Sequence, residues 1–156
     1  MKSINQYILE KFQITKDSKP LYTCHPKYKF ELREILEERL AEDKNADLND
    51  IDVSQITDMK GIFYGLDPNE IHIEKWDVSN VTDMEKMFWK CKNFNCDLSN
   101  WDVSNVKNMW CMFDGCKNFE GEGLEHWKPI NCKHMNMCFM FNDCLSLKNK
   151  PNWKIL

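Results

Sequence analysis

The sequence lacks any apolar run long enough to cross a membrane, which requires roughly 18 to 20 residues in a helix. Its first twelve residues, MKSINQYILEKF, place polar side chains where a signal peptide has its apolar segment. We therefore expect a cytoplasmic protein with no membrane partner. Its eight cysteines are then expected to be reduced thiols.

The chain also lacks an excess of basic charge. Its formal net charge is −4, and acidic and basic residues are mixed along the chain without a basic stripe. Nucleic-acid binding usually leaves such a stripe, so we expect no nucleic-acid partner.

No catalytic or cofactor motif is present. The sequence contains no G-x-S-x-G, G-x-G-x-x-G, phosphate-binding Walker loop or H-E-x-x-H. Its four histidines occupy unrelated places, and the best Cys/His pair, Cys132 with His134, has no clear partner. We therefore expect no catalytic residue, no metal and no cofactor.

What the sequence does contain is a repeat. WDVSNVTDMEKMF begins at Trp76 and WDVSNVKNMWCMF at Trp101, and later tryptophans follow at Trp127 and Trp153, giving separations of 25, 26 and 26 residues. A worn copy begins at Ile51. We place units near 51–75, 76–100, 101–126 and 127–152, the last with two extra residues before its Met-Phe pair.

Each unit is expected to hold one strand and one helix. Met84, Met87, Phe88 and Cys91 recur at i, i+3, i+4 and i+7, a spacing typical of one face of an α-helix. The segment CDLSNWDV, around Trp101, is typical of a short strand. Stacked units then predict an α/β fold: a right-handed, leucine-rich-repeat-like solenoid of about four strand–helix repeats. Its core would hold the framework tryptophans and, as small apolar side chains, the repeated cysteines at 91, 116 and 144.

Two segments precede the predicted solenoid (51–156). Residues 1–20 form an amphipathic segment, and residues 21–50 a helical cap, in which Leu32, Ile35, Leu36 and Leu40 mark one face of a helix over about 28–42.

The motif FNCDLSNWDVSNVKNMWCMFDGCKNF resembles the repeat of BspA-type atypical leucine-rich-repeat proteins, also described as the mycoplasma-lipoprotein-type repeat. The lead-in PKYKFELREILEERL resembles the helical segment before such arrays, so the resemblance covers roughly residues 26–156. It departs at 66–75, at 121–131 and in the lengthened last unit. It implies a binding scaffold, found in bacterial surface proteins, some protists and bacteriophage genomes, and it implies no catalytic residues.

Binding residues are expected where the repeats disagree. Counted from each tryptophan, the ninth position holds Lys60, Glu85 and Trp110, and the thirteenth holds Tyr64, Trp89 and Asp114. We predict that Tyr64, Trp89 and Trp110 form an exposed partner-binding cluster on the helical side. The alternative is that the amphipathic segment 1–20 covers these rings.

The sequence thus predicts a non-catalytic protein–protein interaction module whose partner is an unidentified protein. An adaptor or inhibitor of bacterial or phage origin, acting in the host cytoplasm if phage-encoded, fits this prediction. The alternative is a surface adhesin-like repeat protein. We also predict self-association through an exposed C-terminal strand edge after Trp153.

Overall fold

The computed structural model describes residues 22–148 and 150–153. The expected N-terminal amphipathic segment (1–20) and the last three residues of the expected C-terminal edge lie outside the described residues. Within the described part there is one α-helix, α1 (Lys29–Glu42), with 3₁₀ turns at Leu124–His126 and His134–Met137. The helix expected over 28–42 is therefore confirmed.

The predicted α/β solenoid of strand–helix repeats is wrong. Across the described ranges no repeat contains an α-helix, no strand forms, and residues 150–153 are irregular. The backbone carries only isolated parallel bridges between units, among them Asp58 with Asp83 and Asp83 with Asn108. These bridges join residues 25 positions apart, so the units do stack with like positions in register.

Left-handed residues prevent the expected helix. Lys86 and Lys90 have φ of 55° and 61°, and Cys111 and Gly115, at the same positions of the next unit, have φ of 54° and 81°. An α-helix requires an uninterrupted run of φ near −63°, so it cannot pass through such residues. Consecutive tight turns form instead, closed by the bonds Met87 N–H to Met84 O, Trp89 N–H to Lys86 O and Cys91 N–H to Phe88 O, at 3.0–3.2 Å. Overlapping four-residue turns of this kind reproduce the i, i+3, i+4, i+7 spacing without a helix.

The remaining backbone groups of these segments connect one unit to the next. The Lys86 N–H donates to the Trp110 carbonyl at 2.9 Å, and the Cys111 N–H of that same peptide unit donates to the Cys138 carbonyl at 3.1 Å. Two further series run parallel to this one. In the first, the Phe88 N–H donates to the Met112 carbonyl and the Phe113 N–H to the Met140 carbonyl, at 2.9 and 3.0 Å. In the second, the Lys90 N–H donates to the Asp114 carbonyl and the Gly115 N–H to the Asn142 carbonyl, at 2.8 and 2.9 Å. We call these three series the axial hydrogen-bond chains.

Rows of like side chains fill the core. The rings of Phe63, Phe88, Phe113 and Phe141 stack in succession with centroids 5.0, 5.6 and 5.8 Å apart. The framework tryptophans Trp76, Trp101 and Trp127 are buried, and Trp153 is half-buried, which confirms the prediction for these four residues. Each indole N–H donates to a backbone carbonyl 28 or 29 residues earlier in the chain at 2.9–3.1 Å, those of Leu48, Ile73, Leu98 and Leu124.

The repeated cysteines extend this pattern. The Cys116 and Cys144 thiols each lie 3.0 Å from a phenylalanine carbonyl of the preceding unit. Burial raises the pKa of Cys91 to about 12 and that of Cys144 to about 11. All eight cysteines fall in the described part of the chain and are free thiols. The row at 91, 116 and 144 therefore consists of protonated, packed side chains.

Helix α1 covers the N-terminal end of the stack. Leu32, Leu36 and Leu40 are at most 1% exposed and belong to the same core as the repeats. The Arg33 guanidinium donates to the carbonyls of Ile62 and Tyr64 at 2.8 and 2.9 Å. The Ile62 carbonyl shares a peptide unit with the Phe63 N–H, which donates to the Met87 carbonyl. Arg33 therefore takes the place of a preceding unit.

The lengthened last unit keeps its register. Its two extra residues are absorbed at the 3₁₀ turn His134–Met137, and the Met109 N–H donates to the Asn136 carbonyl at 2.8 Å. Met140 and Phe141 then rejoin the rows of the core.

Candidate partner-binding surface

The three aromatic side chains predicted from the sequence come together in the structure. The rings of Tyr64 and Trp89 stack with centroids 5.0 Å apart and an angle of 21° between their planes. Trp110 joins them through Lys86, whose Nζ lies 4.8 Å from the Trp89 ring centroid and 4.7 Å from that of Trp110. We call Tyr64, Lys86, Trp89 and Trp110 the aromatic–lysine surface.

This surface is partly exposed, and neighbouring side chains hold its rings in place. Tyr64 is 51% exposed, whereas Trp89 and Trp110 are half-buried. The Trp89 indole N–H donates to the Asp114 carboxylate at 3.2 Å, and the Lys90 ammonium lies 4.5 Å from the same ring. The prediction of rings standing on the exposed side of a helix is thus wrong in its geometry, because these residues lie on turns and are held by their neighbours.

Register between the units explains the arrangement. Tyr64, Trp89 and Asp114 hold the same position in successive units, so the Trp89 ring meets Tyr64 on one side and Asp114 on the other. Comparing the units position by position was therefore enough to find the aromatic members. The sequence reasoning missed Lys86 and Lys90, because it compared the ninth and thirteenth positions of each unit, and these lysines hold the tenth and fourteenth. The signal was available: glycines at 61, 65 and 115 occupy the same two positions in other units.

A fixed pair of charges borders the surface. The Lys60 ammonium lies 2.9 Å from the Glu85 carboxylate, which also accepts a hydrogen bond from Asn108 at 3.1 Å. Burial alone would raise the pKa of Glu85, but the hydrogen bonds from Lys60 and Asn108 outweigh it and lower the pKa below its ordinary value. Glu85 is thus ionised at neutral pH and neutralises Lys60, whereas Lys86 and Lys90 rest against aromatic rings.

Other classes of site find no counterpart in residues 22–148 and 150–153. No three His, Cys, Asp or Glu side chains gather there as metal ligands. Nor does any helix in these ranges have the length and apolar character needed to cross a bilayer.

Comparison with known proteins identifies the family. Residues 31–153, more than three quarters of the chain, match the model of the family described as "Mycoplasma protein of unknown function, DUF285". Searches of curated proteins and of solved structures gave no match. The mycoplasma-type character of the repeat is thereby supported, whereas the match does not identify a leucine-rich repeat. The chain, with its stacked 25-residue units, belongs to the DUF285 family.

Proposed function

We propose that the chain is a non-catalytic binding module that holds a partner protein through the aromatic–lysine surface. The observation that carries this proposal is the Tyr64–Trp89 stack with Lys86 placed between Trp89 and Trp110. Rings of this kind offer a large contact area with few rotatable bonds to immobilise, and tryptophan and tyrosine are enriched in binding hot spots.

The fold itself does not require aromatic residues at these positions. Other units have Lys60 and Glu85 at the ninth position and Asp114 at the thirteenth, and these units also stack in register. The framework tryptophans differ, because each donates through its indole N–H to a backbone carbonyl 28 or 29 residues earlier in the chain. The aromatic residues at 64, 89 and 110 thus stand at positions where other units have charged side chains, which favours a role in recognition.

The lysines add a polar component to the proposed contact. The Lys86 and Lys90 ammonium groups lie against the rings, where a partner carboxylate has access to them at the edge of the apolar area. An adaptor or inhibitor of bacterial or phage origin would use such a surface, and catalysis forms no part of the proposal.

The proposal is tested by affinity capture from bacterial lysate with the tagged full chain and a Trp89→Ser/Trp110→Ser double variant. The matched control is Ile130→Ser, which removes an apolar side chain that is 69% exposed in a different unit. We expect a partner that is retained by the wild type and the control, and lost by the double variant. Circular dichroism and thermal unfolding establish that each variant is folded.

A milder pair covers the case in which the double variant does not fold. Tyr64→Ser removes the most exposed ring of the aromatic–lysine surface, and Lys86→Gln removes the charge between the two indoles. Retention of the same partner by folded Tyr64→Ser and Lys86→Gln variants at wild-type strength would show that contact lies elsewhere on the molecule.

A further inference from the structure

The axial hydrogen-bond chains end at three N–H groups on the C-terminal face of the stack, those of Phe139, Phe141 and Asp143. In the preceding unit the equivalent N–H groups, at 111, 113 and 115, donate to carbonyls of the last unit. Among the described residues, none of the three terminal groups has an acceptor. A row of unpaired N–H groups carries partial positive charge, as at the N-terminus of a helix or in a backbone nest.

The opposite end of the same chains shows how such an end is satisfied. There a chain begins with a carbonyl, that of Ile62, whose peptide unit continues through the Phe63 N–H to the Met87 carbonyl, and the Arg33 guanidinium donates to it and to the nearby Tyr64 carbonyl. A cation thus sits at the negative end of the aligned peptide dipoles, as it does at the C-terminus of a helix. The complementary group at the N–H end is an anion.

The charge of the last unit points the same way. Residues 127–153 contain four lysines and a single acidic residue, Asp143, a formal charge of +3 within a chain of net charge −4. Lys150 and His134 line the same cleft as the three N–H groups. The long-range field and the local donors therefore both favour a negatively charged ligand.

This cleft also has an apolar component. Its volume is about 720 Å³, and it lies between the coil that carries the three N–H groups and the segment 150–153. Phe139 is 64% exposed at its rim. Phe141 stacks on Phe113 with only 2° between the ring planes, but on Trp153 it meets a ring tilted by 43°. A further aromatic ring from outside would extend the stack.

We propose that this C-terminal face, made of Phe139, Phe141, Asp143, Lys150 and Trp153, binds an acidic peptide segment with an aromatic residue from a partner protein. Carboxylates accept from the three N–H groups and pair with Lys150, while the aromatic side chain enters the cleft. A second copy fits less well. Head-to-tail stacking is blocked by α1 and Arg33, and tail-to-tail stacking sets donors against donors. This face is separate from the aromatic–lysine surface and does not depend on the role proposed for it.

The test is a ¹⁵N NMR titration of the full chain with a capped peptide, Glu-Glu-Phe-Glu-Glu. We expect saturable shifts of the amide resonances of residues 139, 141 and 143, and little change at 111, 113 and 115, whose N–H groups are already bonded. The matched peptide Gln-Gln-Phe-Gln-Gln is expected to bind about tenfold more weakly, since charge-assisted hydrogen bonds are roughly twice as strong as neutral ones.

Two variants sharpen the test. Lys150→Gln should weaken binding of the acidic peptide several-fold, and Asp143→Asn, which removes the one carboxylate of this face, should strengthen it. Asparagine tolerates the left-handed conformation of residue 143 (φ 53°), so this variant keeps the fold.

Four results would overturn the proposal. They are equal binding of the glutamine peptide, shifts confined to the aromatic–lysine surface, preferential binding of a single-stranded oligonucleotide at this face, and slow exchange of the three amides in the absence of peptide. The last result would mean that the chain itself, or a second copy, already occupies the N–H groups.

Discussion

Each framework tryptophan uses one side chain for two purposes: its ring fills the core, and its indole N–H donates a hydrogen bond to a backbone carbonyl. Trp101 is 3% exposed, and its indole N–H donates to the Ile73 carbonyl, 28 residues earlier in the chain, at 3.1 Å. This explains why the repeat uses tryptophan where another large apolar residue would fill the same space: phenylalanine has no donor, and the Ile73 carbonyl would keep only its bond from the Trp76 N–H, at 3.0 Å.

Replacing Trp101 by phenylalanine should therefore lower the free energy of unfolding by about 0.5–1.5 kcal/mol, the net contribution of one hydrogen bond, because the Ile73 carbonyl keeps its bond from the Trp76 N–H. Trp153→Phe is the matched variant. Its indole makes the same bond, to the Leu124 carbonyl at 3.1 Å, but the side chain is half-buried, so water replaces the donor and the loss should be smaller. Urea denaturation followed by circular dichroism measures both, and equal losses would contradict this account.

At the scale of elements, the sequence predicts α1 correctly and the repeats incorrectly for the same physical reason. Apolar residues at i, i+3 and i+4 fall on one side of an α-helix and equally on one side of consecutive four-residue turns. In α1 no residue interrupts the run, and Leu32, Leu36 and Leu40 are buried as expected. In the repeats, glycine appears at positions 65 and 115, and these are the left-handed positions that Lys90 shares. A lysine gives no sign of a left-handed backbone conformation in the sequence, whereas the glycines at the equivalent positions do, because glycine adopts that conformation readily.

The attachment of α1 to the segment that leads into the repeats should depend on pH. Arg39 donates to the Asp50 carboxylate at 2.8 Å, and Thr23 donates to the same carboxylate. Burial acts to raise the pKa of Asp50, but the hydrogen bonds from Thr23 and Arg39 outweigh it, so the pKa lies below its ordinary value. Because the folded pKa is lower than the unfolded one, near 3.9, the stabilisation is complete above about pH 4–5 and is lost as the pH falls through the folded value.

Asp50→Asn should thus destabilise the protein by about 1–3 kcal/mol at pH 7, and the difference from the wild type should shrink as the pH falls below about 4, the ordinary pKa of an aspartate. Guanidinium denaturation across this pH range measures the effect. Glu38→Gln, an exposed carboxylate on the same helix, serves as the control and should behave as the wild type at every pH. A loss at Asp50→Asn that does not change with pH would show that packing, not charge, holds this contact.

At the scale of the whole molecule, each unit packs against its neighbours, and α1 packs against the first of them.

Leu36→Ala removes a fully buried side chain and should lower the free energy of unfolding by about 2–5 kcal/mol. In a stack of repeats the damage should be greatest near the helix and should fall off along the axis. Amide hydrogen exchange should accelerate more at Phe63 than at Phe113. Leu145→Ala, at a side chain that is 75% exposed, is the control and should change neither. Equal acceleration at both phenylalanines would mean that the stack unfolds as one unit.

The lengthened last unit has a consequence for engineering. Its two extra residues sit at the 3₁₀ turn His134–Met137, and the axial hydrogen-bond chains beyond them run on unchanged. The architecture therefore depends on which peptide groups meet between coils and not on a constant number of residues per coil. The loop before each Met-Phe pair is a site where length can vary at little cost, so a foreign loop or an epitope grafted there would be displayed at the surface while the core rows keep their register.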